Sequence, residues 1–311
     1  MPGGDIPAQQ NIEIILKNMR ASNNSSSCLG YIGKNGSGHY LKMVHNGIEY
    51  ANMELIAESY FLLKNYLNID NKEISKIFSK WNKGKLNSYL MYITKKILRK
   101  KDKKGNFLLD LILDVSENKG TGSWMSKSAL DLNEPATLVT SSVYSRYLSS
   151  VKSQRAEAAK LLVCPILKKK TYKKAEKIKI INKMEEALYL ANIISYSQGF
   201  SQLRRASGIY NWNLKYEKIA KIFRSGCIIR CSLLEEIIQV YNSFPEIKNL
   251  LLSSYFSRVS NEYQQSLRDI VLIGVRKGPT LPVLSTALSA DASPTIMSCC
   301  SPETAQRDYF G

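Results

Sequence analysis

GSGHYLKMVHNGIEYANMELIAE, from Gly36 to Glu58, is the stretch on which the reading of this chain turns. Placed on a helix at about 100° per residue with Lys42 at zero, His45 falls near −60°, Glu49 near −20°, Asn46 near +40° and Tyr50 near +80°. Five groups able to exchange protons or hydrogen bonds therefore share one face. Met43, Val44, Ile48 and Ala51 occupy the other, with Gly47 leaving room for a second backbone, so that side is expected to be buried. An amine and a carboxylate at i and i+7 stand about 10 Å apart along the axis, a spacing that suits proton transfers at two ends of a small substrate. The same pattern also fits a solvated helix face with an incidental arrangement of charges.

Outward from this stretch the chain keeps helical periodicity, in segments 39–66, 71–81, 86–98, 139–163, 179–208, 215–242 and 256–276, with short Gly, Asn or Pro breaks between them. A further helix is expected to begin at Leu284 and to be broken by Pro294 and Pro302. The 179–208 segment is apolar on more than one face, as a central core helix is. Before Gly36 the character is different. Residues 7–20 read as an amphipathic helix, and CLGYIG, ending at Gly33, reads as a short strand. The expected fold class is mainly α, a multi-helix domain preceded by a short α/β element.

The chain has 311 residues, 44% of them apolar, enough to fill a sizeable core. With 44 Lys and Arg against 26 Asp and Glu, its formal net charge is +18, which favours anionic partners. The basic runs, Lys95 to Lys104 and Lys168 to Lys174, lack interleaved aromatics to stack bases, so nucleic acid is not the expected partner. No apolar run is long enough to span a membrane, and no secretory leader is read at Met1, so a cytoplasmic protein is expected. Six cysteines without framework spacing and two histidines give no metal constellation. Cys227 and Cys231 are expected as small buried residues within a helix.

LDVSENKGTGSW, residues 113–124, holds a second set of groups. Lys119, Thr121 and the backbone at Gly120 and Gly122 are the ingredients of a phosphate-holding turn, although the same residues also make an ordinary polar loop. Arg146 is expected near the start of a long helix, where its use depends on what the fold brings beside it. No dinucleotide fingerprint follows a strand anywhere in the chain.

Taken together, GSGHYLKMVHNGIEYANMELIAE, ENKGTGSW, SALDLNEP, ISYSQGFSQLRRAS, YNWNLKYEKIAKIFRSGCIIR and QRDYFG resemble the 6-phosphogluconate dehydrogenase family, decarboxylating enzymes of the oxidative pentose phosphate pathway. The resemblance implies oxidation of 6-phosphogluconate at C3 with NADP as cofactor, loss of the C1 carboxylate as CO2, no metal, and a homodimer. It implies that Lys42 is the base and Glu49 the acid of the reaction. It implies further that His45 and Asn46 orient the substrate, that Tyr50, Lys119, Thr121 and Arg146 hold its phosphate, and that Arg307, on a tail reaching the partner subunit, contributes to that subunit's site. A base must be neutral, so Lys42 is expected to need desolvation or neighbouring positive charge.

The chain departs from the family pattern at both ends. Residues 1–35 read as a remnant of the NADP-binding Rossmann-like domain, 36–290 as the substrate-binding and dimerisation domain, and 291–311 as an irregular tail that stops before the family's histidine. Glu117 stands where a small residue is usual, which bears on the packing near Lys119. The expected function is that of the family, with the isolated chain inactive; a non-catalytic helical dimerisation scaffold or decaying gene product is the alternative.

Overall fold

The computed structural model describes residues 1–19, 22–23, 26–117, 119–163 and 172–291. Its centre is a pair of long helices, α2 (Ser37–Phe61) and α8 (Lys174–Ile209), packed against each other and joined by α11 (Ser254–Lys277). Small residues permit the approach. A Cβ on Gly199 of α8 would stand 2.5 Å from the Ile48 Cδ1 of α2, so at this point the helix propensity lost at a glycine is offset by close packing. Leu41, Val44, Ile48, Ala51 and Leu55 give α2 its buried stripe. Met43, expected among them, is only half-buried.

Around this pair lie α3 (Asn71–Trp81) and α4 (Tyr89–Ile97), then α5 (Thr121–Asp131), α6 (Thr137–Ser150) and α7 (Lys152–Leu161). Two short helices, α9 (Tyr216–Phe223) and α10 (Leu233–Ser243), pack on each other, and α12 (Pro282–Asp291) packs on α6, α8 and α11. Helix α3 follows its sequence pattern closely because each level agrees. Asp70 caps it by accepting from the Glu73 N–H, and Ile74, Phe78 and Trp81 form one buried stripe. Helix α2 runs on through a π-helical turn at Leu62–Tyr66, so the expected end near 66 covers two kinds of helix.

Three sequence expectations are corrected. The 139–163 segment is two helices, because Val151 leaves helical geometry and the Ser149 and Ser150 hydroxyls take the carbonyls of Arg146 and Tyr147. The 215–242 segment is likewise two helices. Gly226, at φ +70°, turns the chain between α9 and α10, so Cys227 and Cys231 lie in that turn and not in a helix. Third, CLGYIG forms no strand. Among the described residues the only ladder is a two-residue antiparallel pair, Ser22–Asn23 with Ser26–Ser27, and no Rossmann-like unit is present. Residues 30–33 instead run extended beside the chain start, with Ile32 N–H donating to Pro2 and Gly4 N–H donating to Gly33. Helix α1 (Ile6–Met19) forms as expected but buries none of its residues, leaving Ile14 and Ile15 exposed.

Of the 291–305 segment all but residue 291 lies outside the described residues, as do Arg307, Cys164, Cys299 and Cys300. Among those described, no helix is long and apolar enough to cross a membrane, and no three His, Cys, Asp or Glu side chains form a metal-sized group.

Candidate active site

Helix α2 carries Lys42, His45, Asn46 and Glu49 along one face, as its period requires. Their exposure differs in a way the period does not reveal. Lys42 is exposed, Asn46 and Glu49 are half-buried, and His45 is fully buried, with the edge of Phe223 from α9 against its ring at 5.3 Å between centroids. The face expected to carry the ionisable groups is therefore buried at His45. Burial, and next the Lys42 charge, lower its pKa to about 4, so the ring is neutral near pH 7.

Lys42 Nζ lies 3.2 Å from His45 Nδ1, which is also 3.0 Å from Asn46 Oδ1. An ammonium donates to a bare Nδ1, which puts the ring proton on Nε2, a buried atom with no partner among the described residues. If Nδ1 carries the proton instead, it donates to Asn46 Oδ1. One turn on, burial raises the Glu49 carboxyl above its ordinary range, opposed by the charges of Lys42 and Arg146.

The second cluster is assembled from three separate parts of the chain. Tyr50, at the end of the α2 face, is buried, and the Arg146 guanidinium lies over its ring at 3.9 Å. The Lys119 N–H points to the Tyr50 hydroxyl at 3.4 Å. Gly120, at φ +91°, adopts a conformation that favours glycine, and α5 begins at Thr121 directly after it. A helix start with no side-chain cap thus opens beside Arg146, Tyr50 and Lys119. Arg146 sits near the end of α6, not at a helix start, and donates to the Ser116 hydroxyl and the Glu117 carbonyl, each at 3.0 Å. Glu117 enters the packing through its backbone while its side chain stays exposed. Gly122 keeps the floor flat, since a Cβ there would stand 2.6 Å from the Tyr50 ring and 3.1 Å from Val143. Replacing Gly122 by alanine is expected to lower stability by about 1–3 kcal/mol, read as a shift in the urea midpoint; an unchanged midpoint would show that the ring moves freely.

Sequence reasoning missed Ser116, Met53, Glu54 and Phe223. Met53 Sδ lies 3.6 Å from an Arg146 nitrogen. Glu54 is half-buried, its carboxyl raised by burial against the opposing Arg146 charge and a Ser145 hydrogen bond. Glu54 sits four residues after Tyr50, so helical spacing alone was a signal for it; Ser116 and Phe223 had none.

The fold and the site together define a class: a mainly α-helical domain whose long helix presents an acid–base face beside a basic, glycine-opened cradle. Residues 38–311 match the family model described as 6-phosphogluconate dehydrogenase, C-terminal domain. The whole chain is 54% identical to 6-phosphogluconate dehydrogenase, decarboxylating, of Buchnera aphidicola from Acyrthosiphon pisum, and 50% identical to that of Escherichia coli K12, spanning 66% of each relative. It also matches a solved 6-phosphogluconate dehydrogenase of Plasmodium falciparum with TM-score 0.87 and 38% identity, over 93% of this chain and 62% of that one. That protein is described in its apo form, with its cofactor NADP+ and with its substrate 6-phosphogluconate. The chain belongs to the 6-phosphogluconate dehydrogenase family.

Proposed function

We propose that this chain is the substrate-binding and dimerisation part of a decarboxylating 6-phosphogluconate dehydrogenase, which converts 6-phosphogluconate to ribulose 5-phosphate and CO2 in the cytoplasm. The observation that carries this reading is that Lys42 and Glu49 share one face of α2 while Tyr50, the next residue, floors a cradle under Arg146 at the mouth of α5. The cradle suits a phosphate: Arg146 offers planar paired donors, Lys119 an ammonium, Thr121 a hydroxyl, and the first turn of α5 its N–H groups. With the phosphate there, the rest of the acid lies along α2, and His45 and Asn46 orient its hydroxyls.

In this reading Lys42 takes the C3 hydroxyl proton, NADP would supply the acceptor for the C3 hydride, and Lys42 returns a proton to the resulting carbonyl oxygen as CO2 leaves. Glu49, whose carboxyl burial pushes upward against the charges of Lys42 and Arg146, delivers a proton to C1. Lys42 is exposed in this chain, so the desolvation it needs comes from whatever closes over the face.

NADP is the cofactor this reading carries. The described residues hold no parallel βαβ unit with a glycine-rich turn, so they do not fit the dinucleotide and none is assigned to it. Residues 36–290 form the substrate and dimerisation domain in this proposal. The homodimer is supported by exposed apolar side chains on and beside α5 to α7, among them Leu111, Ile112, Leu113, Leu130, Leu148 and Leu161. Arg307 of the tail is assigned to the partner's substrate.

Calorimetric titration of the 311-residue polypeptide with 6-phosphogluconate tests the cradle. Binding is expected, weakened at least about 30-fold by Arg146→Ala, the loss of one charge-assisted donor pair with its neighbours left in place. Equal affinity in parent and variant would overturn the assignment. The same polypeptide alone is expected to form no NADPH from NADP and 6-phosphogluconate, because the positioning of the nicotinamide is missing. Absorbance at the NADPH band decides this.

A further inference from the structure

A second cavity, of about 390 Å³, lies on the other side of the α2 start, where residues 31–34 face the loop between α8 and α9. Neither Lys42, Glu49 nor Arg146 lines it. Its walls carry Lys34, Lys215 and Lys218, the amides of Asn211 and Asn213, and Trp212, with no acidic residue among them. None of the three lysines makes an ion pair among the described residues. Lys215, the extended residue that precedes α9, and Lys218, in its first turn, both line this cavity.

The loop that forms one wall is held in a conformation that is costly for its residues. Asn211 and Asn213, on either side of Trp212, have φ of 55° and 50°, in the left-handed region that other L-residues seldom occupy. Trp212 is fixed between them, its ring 4.8 Å from Tyr210 and 5.2 Å from Tyr40. Its N–H donates to the Ser207 carbonyl, and the Leu214 N–H donates to the Ser207 hydroxyl. Gly33 closes the far wall onto this loop, because a Cβ there would stand 3.1 Å from the Trp212 carbonyl oxygen. Local strain fixed by surrounding contacts is a feature of ligand-holding loops. Three ammonium groups without acidic partners, Lys215 among them donating to Asn213 Oδ1 at 3.4 Å, also create a local positive potential around one concave space.

We propose that this cavity is a second anion site, distinct from the cradle at Arg146, that takes a small phosphorylated molecule. Lys34, Lys215 and Lys218 hold the phosphate as point charges, and the Asn211 and Asn213 amides supply directional donors. The volume falls within the range of small-molecule sites. A carboxylate ligand would gain less, since three converging cations match a dianion better than a single charge.

The test is calorimetry of the 311-residue chain with inorganic pyrophosphate at about 0.15 M salt, where exposed charges are screened within about 8 Å. Parent, Arg146→Ala and the double variant Lys215→Gln, Lys218→Gln are compared. Both substituted lysines are exposed, and unchanged circular dichroism and melting confirm the fold of the variant. The expected result is a binding event that survives Arg146→Ala and weakens at least tenfold in the lysine variant. Pyrophosphate binding that Arg146→Ala alone abolishes, or that the lysine variant retains in full, overturns the proposal. Because the two variants report on separate sites, failure of the cradle leaves this result readable.

Discussion

Replacing Lys42 by methionine, in a chain joined to the part of the Escherichia coli relative that it does not span, is expected to lower kcat by about 10²–10⁴-fold, the range for removing a positioned acid–base group. The affinity for 6-phosphogluconate is expected to change by less than about tenfold, because the phosphate cradle lies elsewhere on the fold. The reason lies in the Lys42–His45–Asn46 contacts. Lys42 Nζ lies 3.2 Å from His45 Nδ1, which is itself 3.0 Å from Asn46 Oδ1, so the nitrogen assigned as the base is held at one place on the α2 face. Methionine keeps the length of the side chain and removes that function. Asn46→Asp offers a finer check: a carboxylate favours a proton on His45 Nδ1, so the acid limb of the pH profile is expected to move while the Lys42→Met profile stays flat. Turnover of Lys42→Met within tenfold of the parent would sink the assignment of the base.

The second large effect concerns Glu58, at the far end of α2. Its side chain is buried, and its two oxygens accept from the N–H groups of Val283 at 2.7 Å and Leu284 at 3.0 Å. A side chain 225 residues away in sequence thus caps α12. Glu58→Ala leaves two buried N–H donors without partners, at about 1–3 kcal/mol each, so a loss of about 2–4 kcal/mol near pH 6 is expected, measured by urea unfolding. Glu58→Gln keeps one acceptor and is expected to lose less.

Glu58 also gives stability a pH dependence of defined sign. Burial pushes its carboxyl up from 4.5 to about 8, reinforced by the Glu54 charge and opposed by the two N–H groups. The folded state therefore holds more protons than the unfolded one between about 4.5 and 8, and this contribution is lost as pH rises through that window. His45 works the other way. Its folded pKa is lowered to about 4, so its contribution is present above its unfolded pKa near 6.5 and is lost as pH falls toward 4. Above pH 6.5 the His45 contribution is constant, and stability is expected to fall from pH 6.5 to 8 in the parent more steeply than in Glu58→Gln. Parallel slopes in that interval would mean that Glu58 does not titrate there.

Much of the architecture was legible because it is local. The 3.6-residue period of α2 is a property of the backbone, so the split between its buried stripe and its ionisable face could be read from Gly36 to Glu58 alone. Helix α3 was legible for the same reason, with its cap and its apolar stripe in agreement. The breaks at Val151 and Gly226 were not legible, because apolar periodicity continues across both. Helix α5 is absent from the helical segments expected from periodicity, since its start depends on the left-handed turn at Gly120.

At the candidate site the division is sharper. The sequence by itself determined which groups lie together on α2 and that ENKGTGSW carries phosphate-type donors, because neighbours along a helix or turn are fixed by backbone geometry. It determined membership of a family through motifs long enough to be specific. Only the tertiary structure decided that Phe223 buries His45, that Arg146 lies over Tyr50 and reaches Ser116, and that Glu58 caps α12. Burial and partnership across tens to hundreds of residues depend on how separate helices pack, and desolvation, which sets the ionisation of these groups, follows from that packing and not from spacing along the chain.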